Sequence, residues 1–511
     1  MGVDGLLGAV KDAFQEAHVR DFLGQTVVVD ALSWLHKACY GCAWDLAMGN
    51  ATETYVLYVV RRAKLLRDIG ITPILVFDGQ KIPLKSGTHD KRQSAKEDNR
   101  QMAMRNLQEA RGLQGQNRKD MMAKTMQGFQ RSIKITSSIL QSVHNALRDA
   151  SIDFVIAPFE ADAQMVYLCK TKKASAIITE DSDILVYCAA ANVAAPVLFK
   201  LDDTGACKVL SKDILHTQGK HSGNAFLRKV SVFLAGDQEA TRMFVQACIL
   251  AGCDFLESLP RIGIVTAFQH IFGHRGAAGA VRVPRVLSKL KFEGVAVPSD
   301  YHDRFCKAEA LFYHHYVFDP DAQRCVFLVG PSDAEVVGDI YSRVTESLAT
   351  TPFLGALRSN DEMLDIYRGR RPARDKGDSS SQGSSEWSSQ TMSQPSQPTP
   401  ASQSPGRPQS GMAPSFQSPP PRTAGRRRFG ADVSASPEEA QPAVASRPVF
   451  QRQKINCEEV RATSMENIFS VYAAPPNTKR RLDDAIAAAS SDEDEKKAKR
   501  DRGPRRRCML P

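Results

Sequence analysis

Seven carboxylates in this 511-residue chain stand where acids do phosphate or metal chemistry. Asp30 closes the run Thr26-Val27-Val28-Val29-Asp30, and Asp78 closes Ile74-Leu75-Val76-Phe77-Asp78. Glu160 and Asp162 follow Val155-Ile156-Ala157-Pro158-Phe159, and Asp181 and Asp183 follow Ala176-Ile177-Ile178-Thr179-Glu180. Asp254 comes after the apolar stretch Phe244–Leu250, in Ala251-Gly252-Cys253-Asp254. A single strand-end Asp is as readily a turn former or helix cap, but capping does not explain paired acids two residues apart at two such ends. Carboxylates that share one cleft raise each other's pKa, and a divalent cation keeps them ionised. An oxygen-only donor set favours magnesium, with manganese able to substitute, over zinc. Two such ions about 4 Å apart can activate a water and stabilise the leaving oxygen of a phosphodiester. Strand alternation turns Glu180 away from Asp181, so it stays outside the set.

Those acids need elements that bring them together. Four short apolar runs, Thr26–Val29, Ile74–Phe77, Asp153–Ala157 and Ala176–Thr179, read as strands covered on both faces. Helix-like segments lie between them, notably Glu53–Asp68 and Lys134–Ala150. Strand–helix–strand alternation predicts an α/β fold, with a central, mostly parallel sheet, right-handed crossovers and helices on both faces. The carboxyl ends of parallel strands share one edge, where ligands bind, so the acids should meet in a single cleft there.

Bulk properties constrain the partners. The net charge is +10 and the pI about 9.0. That balance suits a polyanion such as nucleic acid, or a basic tail on a neutral domain. Eleven cysteines are scattered. The one CxxC, Cys39-Tyr40-Gly41-Cys42, lacks a second ligand pair, so reduced thiols are expected. No apolar run is long enough to span a membrane, and neither a secretory signal nor a usable lipidation site is read at the ends. No membrane partner is expected.

Composition divides the chain at about residue 355. Residues 1–355 read as globular, and 356–511 as a mostly disordered regulatory and interaction tail. Asp378 to Pro421 is rich in Ser, Gln and Pro and cannot bury enough surface to offset chain entropy. Lys479-Arg480-Arg481 and Lys496-Lys497-Ala498-Lys499-Arg500 suit nuclear import or non-specific DNA contact. Ser-Gln pairs at Ser381, Ser389, Ser393, Ser396 and Ser402 are candidate phosphorylation sites or a by-product of composition.

The motifs also resemble a known family. Met1-Gly2-Val3-Asp4-Gly5-Leu6-Leu7, Pro73-Ile74-Leu75-Val76-Phe77-Asp78-Gly79, Ala157-Pro158-Phe159-Glu160-Ala161-Asp162-Ala163-Gln164 and Thr179-Glu180-Asp181-Ser182-Asp183 are similar, in order, to the flap endonuclease superfamily of 5′ nucleases. The likeness covers roughly residues 1–320. His18-Val19-Arg20, Trp34-Leu35-His36-Lys37 and Phe129-Gln130-Arg131-Ser132-Ile133-Lys134-Ile135-Thr136 resemble its eukaryotic exonuclease 1 family. The resemblance implies a helical arch over the active site, at about 80–130, and a helix–two-turn–helix at about 245–275. It implies metal ligation by Asp30, Asp78, Glu160, Asp162, Asp181, Asp183 and Asp254, and catalytic cations at Lys85 and Arg92. It further implies DNA contacts at Gly2, His36, Lys96 and Gly263, and a potassium ion at the helix–two-turn–helix. In that motif, Arg261 stands in place of a usual Gly and Ala251 in place of a common Ser.

The implied activity is a magnesium-dependent 5′→3′ double-stranded DNA exonuclease with 5′-flap endonuclease activity, in mismatch repair, end resection and recombination. The expected protein is a nuclear monomer that acts on DNA with 5′ ends, nicks or flaps and meets mismatch-repair and sliding-clamp proteins through its tail. A replication-type flap endonuclease and a DNA-binding repair scaffold are the alternatives. The tail segment Met465–Tyr472 lacks the leading Gln and paired aromatics of a clamp-binding motif.

Overall fold

The runs that end in acids form the middle of a seven-stranded sheet. In this computed structural model, which describes residues 2–330, 338–340, 342 and 353–373, the strands are β1 (Gln15–His18), β2 (Thr26–Asp30), β3 (Thr72–Phe77), β4 (Phe154–Ile156), β5 (Ala176–Ile178), β6 (Val197–Phe199) and β7 (Ala206–Leu210). Their order is β1-β7-β6-β5-β2-β3-β4. Strands β4, β3, β2, β5 and β6 run parallel, and β7 and β1 close one edge antiparallel. A separate hairpin pairs β8 (Tyr316–Asp319) with β9 (Arg324–Phe327).

The central strands face apolar layers on both sides. In β2, Val28 enters one core while Val27 and Val29 enter the other. In β5, Ile177 parts from Ala176 and Ile178 in the same way. That is the period-2 alternation of a strand covered twice. Helices Ala161–Lys170, Asp183–Ala190, Gln238–Ala251 and Ile264–Gly273 supply the first layer. Helices Ala31–Gly41, Thr54–Asp68 and Ser137–Asp149 supply the second. β2 lies between β3 and β5, so the chain winds outward from it in both directions. The strand ends on either side of β2 therefore open a crevice of the kind that holds ligands.

Two long helices, Ser86–Ala110 and Gly115–Arg131, occupy the expected arch. They approach closely where Gly128 meets Ala103: a Cβ on Gly128 would lie 2.7 Å from the Ala103 Cβ. Beyond residue 355, where composition places the boundary, helix Asn360–Tyr367 is still folded. Its Met363, Ile366 and Tyr367 join the second core, and Tyr367 stacks on Phe318 at 4.5 Å. The import clusters, the Ser-Gln pairs and Met465–Tyr472 lie outside the described residues. Among the described residues the cysteines are free thiols, and no helix is long and apolar enough to cross a membrane.

Helices Gln238–Ala251 and Ile264–Gly273 flank the turn that carries Arg261, within the expected helix–two-turn–helix. Arg261 has φ +68°, the left-handed region that disfavours a side chain. Glycine in its place relieves that strain, although it also loosens the unfolded chain. Arg261→Gly should raise stability by about 1 kcal/mol. Denaturant unfolding checks this, and a variant less stable than wild type would show that Arg261 makes compensating contacts.

Candidate active site

The acids do gather at one sheet edge, and several cap the elements that carry them. Asp30 N-caps helix Ala31–Gly41: its Oδ1 accepts from Leu32 N at 3.0 Å and Ser33 N at 3.1 Å. Its Oδ2 accepts from Ser33 Oγ and, at 3.0 Å, from Thr179 Oγ1 beyond β5. Asp78 Oδ1 accepts from Ala161 N at 2.9 Å, joining the end of β3 to the start of helix Ala161–Lys170. Asp181 Oδ1 accepts from Asp183 N at 3.1 Å. Capping and site-building are therefore not exclusive here. Glu180 is directed elsewhere and accepts from Lys200 N at 2.8 Å.

Asp30, Asp181, Asp183 and Asp254 are each 4–7% exposed, and Asp183 Oδ1 is buried with no hydrogen-bond partner. Burial, then the Glu160 charge, pushes Asp78 up to about 7. Burial first, then Asp181, drives Asp162 and Asp183 well above the usual carboxylate range. Asp181 is raised too, chiefly by burial.

Two cations enter this negative region from the start of the arch. Lys85 Nζ lies 2.8 Å from Glu160 Oε2 and 3.0 Å from Asp254 Oδ2. Arg92 grips the same aspartate with both terminal nitrogens, at 2.5 and 3.2 Å. Burial would raise Asp254, but Lys85 and Arg92 outweigh it and hold the carboxyl below its usual value. Burial also opposes the charge on Lys85, yet Glu160, Asp254 and Asp78 keep its proton on.

The remaining expected residues take different places. A Cβ on Gly2, which has φ +85°, would lie 2.1 Å from Asp181 Oδ1 and 2.7 Å from Asp183 N, so only glycine fits there. Half-buried His36 is lowered by burial and then by the charge of Lys96. Lys96 is itself lowered by burial and by Arg92, so helix Ala31–Gly41 and the arch face each other. Gly263 is exposed at the N-cap of helix Ile264–Gly273. A cleft of about 570 Å³ adjoins the acids, lined among others by Gly2, Thr88, Arg92, Ser182, Asp254 and Glu257. Sequence reasoning passed over Thr88, whose Oγ1 donates to the Asp254 carbonyl at 3.1 Å, and the pair Lys91–Glu257 at 2.5 Å. Thr88 and Arg92 lie one turn apart on the helix face that carries Asp254's partners, and that i, i+4 spacing was the available signal.

Comparison with known proteins agrees with this geometry. The XPG N-terminal domain model matches residues 1–99 and the XPG I-region model residues 151–254. Exonuclease 1 of Drosophila melanogaster is 32% identical over 340 residues, 66% of this chain and 42% of its own length. Exonuclease 1 of Arabidopsis thaliana is 32% identical over 333 residues, 65% and 41% of the two chains. The chain carries the XPG N-terminal domain and I-region and, over about two thirds of its own length, is similar to exonuclease 1 proteins. Exodeoxyribonuclease 1 of Schizosaccharomyces pombe is 30% identical over 373 residues, 72% of this chain and 57% of the yeast protein. The chain thus spans about two fifths to just over half the length of these curated relatives. The two family models reach Asp254 and so include all seven acids.

The raised carboxylates carry a consequence for stability. Asp78 has a folded pKa of about 7, above its unfolded value. Asp78 therefore withdraws stability from the fold as pH rises between about 4 and 7, while its carboxyl is forced to ionise. Asp78→Asn keeps the acceptor for Ala161 N and removes the charge. It should be more stable than wild type by on the order of 1–3 kcal/mol at pH 8, with the gap closing towards pH 4. Unfolding of both proteins across that range, in chelator, gives the answer, and a pH-independent gap would contradict it.

Proposed function

We propose that this chain is a metal-dependent 5′→3′ exonuclease of double-stranded DNA with 5′-flap endonuclease activity, acting in DNA repair and recombination. The observation that carries the reading is the meeting of seven strand-end and loop acids with Lys85 and Arg92 at one crevice, in a chain that carries the XPG N-terminal domain and I-region. The donor set fits magnesium, with manganese as a substitute: it is all oxygen, it carries an orphaned Asp183 Oδ1, and its carboxyls need a compensating charge. Among the described residues no three acidic, His or Cys side chains are placed to hold one ion as they stand. The oxygens of Glu160 and Asp254 are instead engaged by Lys85 and Arg92. Asp30, Asp78, Glu160, Asp162, Asp181, Asp183 and Asp254 would hold two ions, which supply an activated water and neutralise charge on the cleaved phosphate.

The chain's own groups supply positioning and fixed charge. Lys85 and Arg92, held over the crevice by Glu160 and Asp254, stabilise charge that develops on the scissile phosphate. Gly2 lets DNA backbone approach Asp181 without a side chain in the way. His36 and Lys96 meet the 5′ end and junction from opposite sides. Exposed Gly263, at a helix N-terminus, offers main-chain N–H groups to the duplex backbone, and the helix–two-turn–helix would be the place for a potassium ion. The protein is read as a nuclear monomer whose tail meets mismatch-repair and sliding-clamp proteins.

Two substitutions test the assignment on a 5′-labelled duplex with magnesium. Asp181→Ala should abolish cleavage while DNA binding persists, because losing negative charge does not weaken attraction to phosphate. Near-normal cleavage would overturn the metal assignment. Lys85→Ala should lower turnover about 10²-fold or more. A change confined to the salt dependence of binding would make Lys85 an ordinary phosphate contact.

A further inference from the structure

The entry to the arch is fastened to the Asp254 loop by more than its two catalytic cations. Lys85 is the N-cap of helix Ser86–Ala110; Thr88 follows it by three residues, and Lys91 and Arg92 follow Thr88 by three and four, which sets them along one side of the helix start. Each of the four reaches the segment Asp254–Glu257. Lys85 and Arg92 take the Asp254 carboxylate. Thr88 Oγ1 donates to the Asp254 carbonyl at 3.1 Å, and Lys91 Nζ lies 2.5 Å from Glu257 Oε1. The receiving segment is itself a tight turn, in which Cys253 and Leu256 exchange backbone hydrogen bonds of 2.9 and 3.2 Å. It leads directly into the Arg261 turn and helix Ile264–Gly273.

We propose that Lys91, Thr88 and Glu257 form a latch. It holds the first turns of the arch on the Asp254 turn and so sets the position of Lys85 and Arg92 before DNA arrives. The proposal rests on the nuclease reading for its catalytic consequence, but not for the latch itself. Lys91 and Glu257 are positioning residues and touch no reacting atom. Their side chains are 71% and 64% exposed, so each can be changed without disturbing a core. That exposure also limits what one pair contributes, and for this reason the latch needs Thr88 as its second point and charge reversal as its probe. Because Glu257 lies between Asp254 and helix Ile264–Gly273, a tilt there moves the arch and that helix together.

The test uses the full chain and three variants: Lys91→Glu, Glu257→Lys and the exchanged pair Lys91→Glu with Glu257→Lys. Amide hydrogen exchange over residues 86–95 is measured without DNA, and single-turnover cleavage of a 5′-labelled duplex is measured with magnesium at saturating enzyme. Each single reversal should raise exchange in the arch entry about fivefold and slow cleavage by a similar factor, and the exchanged pair should restore both to within about twofold of wild type. Were the two residues simple DNA contacts, Lys91→Glu would weaken and Glu257→Lys would tighten DNA binding. The exchange rates would then match wild type and the double variant would show the sum of the two singles. That outcome overturns the latch. If wild type fails to cleave at all, the nuclease reading fails, while the hydrogen-exchange result still decides the latch.

Discussion

The repulsion among buried carboxylates governs this molecule. Acids at the ends of parallel strands cannot disperse, because the pairing that aligns the strands also aligns their ends. Burial removes the water that would screen them. The chain answers with positive charge brought from one element, the start of the arch, so that Lys85 and Arg92 settle on Glu160 and Asp254. Asp254, which both cations grip, is held low; Asp162 and Asp183 are driven up, chiefly by burial and then by the charge of Asp181.

This places unusual demands on the scaffold. Asp30 must cap a helix, tie β2 to Thr179 and still face the crevice. Asp78 both ends β3 and receives the first N–H of helix Ala161–Lys170. The acids are thus spacers between elements as well as charges, and a substitution at Asp30 would disturb the helix start along with any chemistry. Behind Glu160, buried His315 turns its Nε2 towards the Glu160 N–H at 3.4 Å and its Nδ1 towards Tyr187 Oη at 3.2 Å. The hairpin that follows His315 thereby buttresses the strand-end loops from below.

Much of this was legible in the residues. The four central strands end within a residue or two of the apolar runs that announce them, and the acids follow because a run covered on both faces leaves polar groups only at its ends. The antiparallel edge was not legible. β1 is Gln-Glu-Ala-His and largely exposed, and β6 has three residues, too few to show a period. Helix Asn360–Tyr367 lay past the compositional boundary, although Ser359 caps it and Met363, Ile366 and Tyr367 keep helical spacing. Lys91 and Glu257 are 166 positions apart, and no local pattern joins residues so distant. The capping duty of Asp30 could not be separated from a site role, because the same carboxylate performs both.

The four carboxyls that resist ionisation make the crevice a store of protons as well as of negative charge. Asp78, Asp162, Asp181 and Asp183 hold their protons more tightly than exposed acids do. Any divalent cation admitted there must displace some of them. Cation uptake is then an exchange of metal for hydrogen ions, weaker in acid and steeper with pH than at an exposed carboxylate pair. The expelled protons are taken up by the buffer, so the heat of binding should change with the buffer's own ionisation enthalpy. Equal heats in phosphate-free buffers of very different ionisation enthalpy would mean that the acids had given up their protons beforehand.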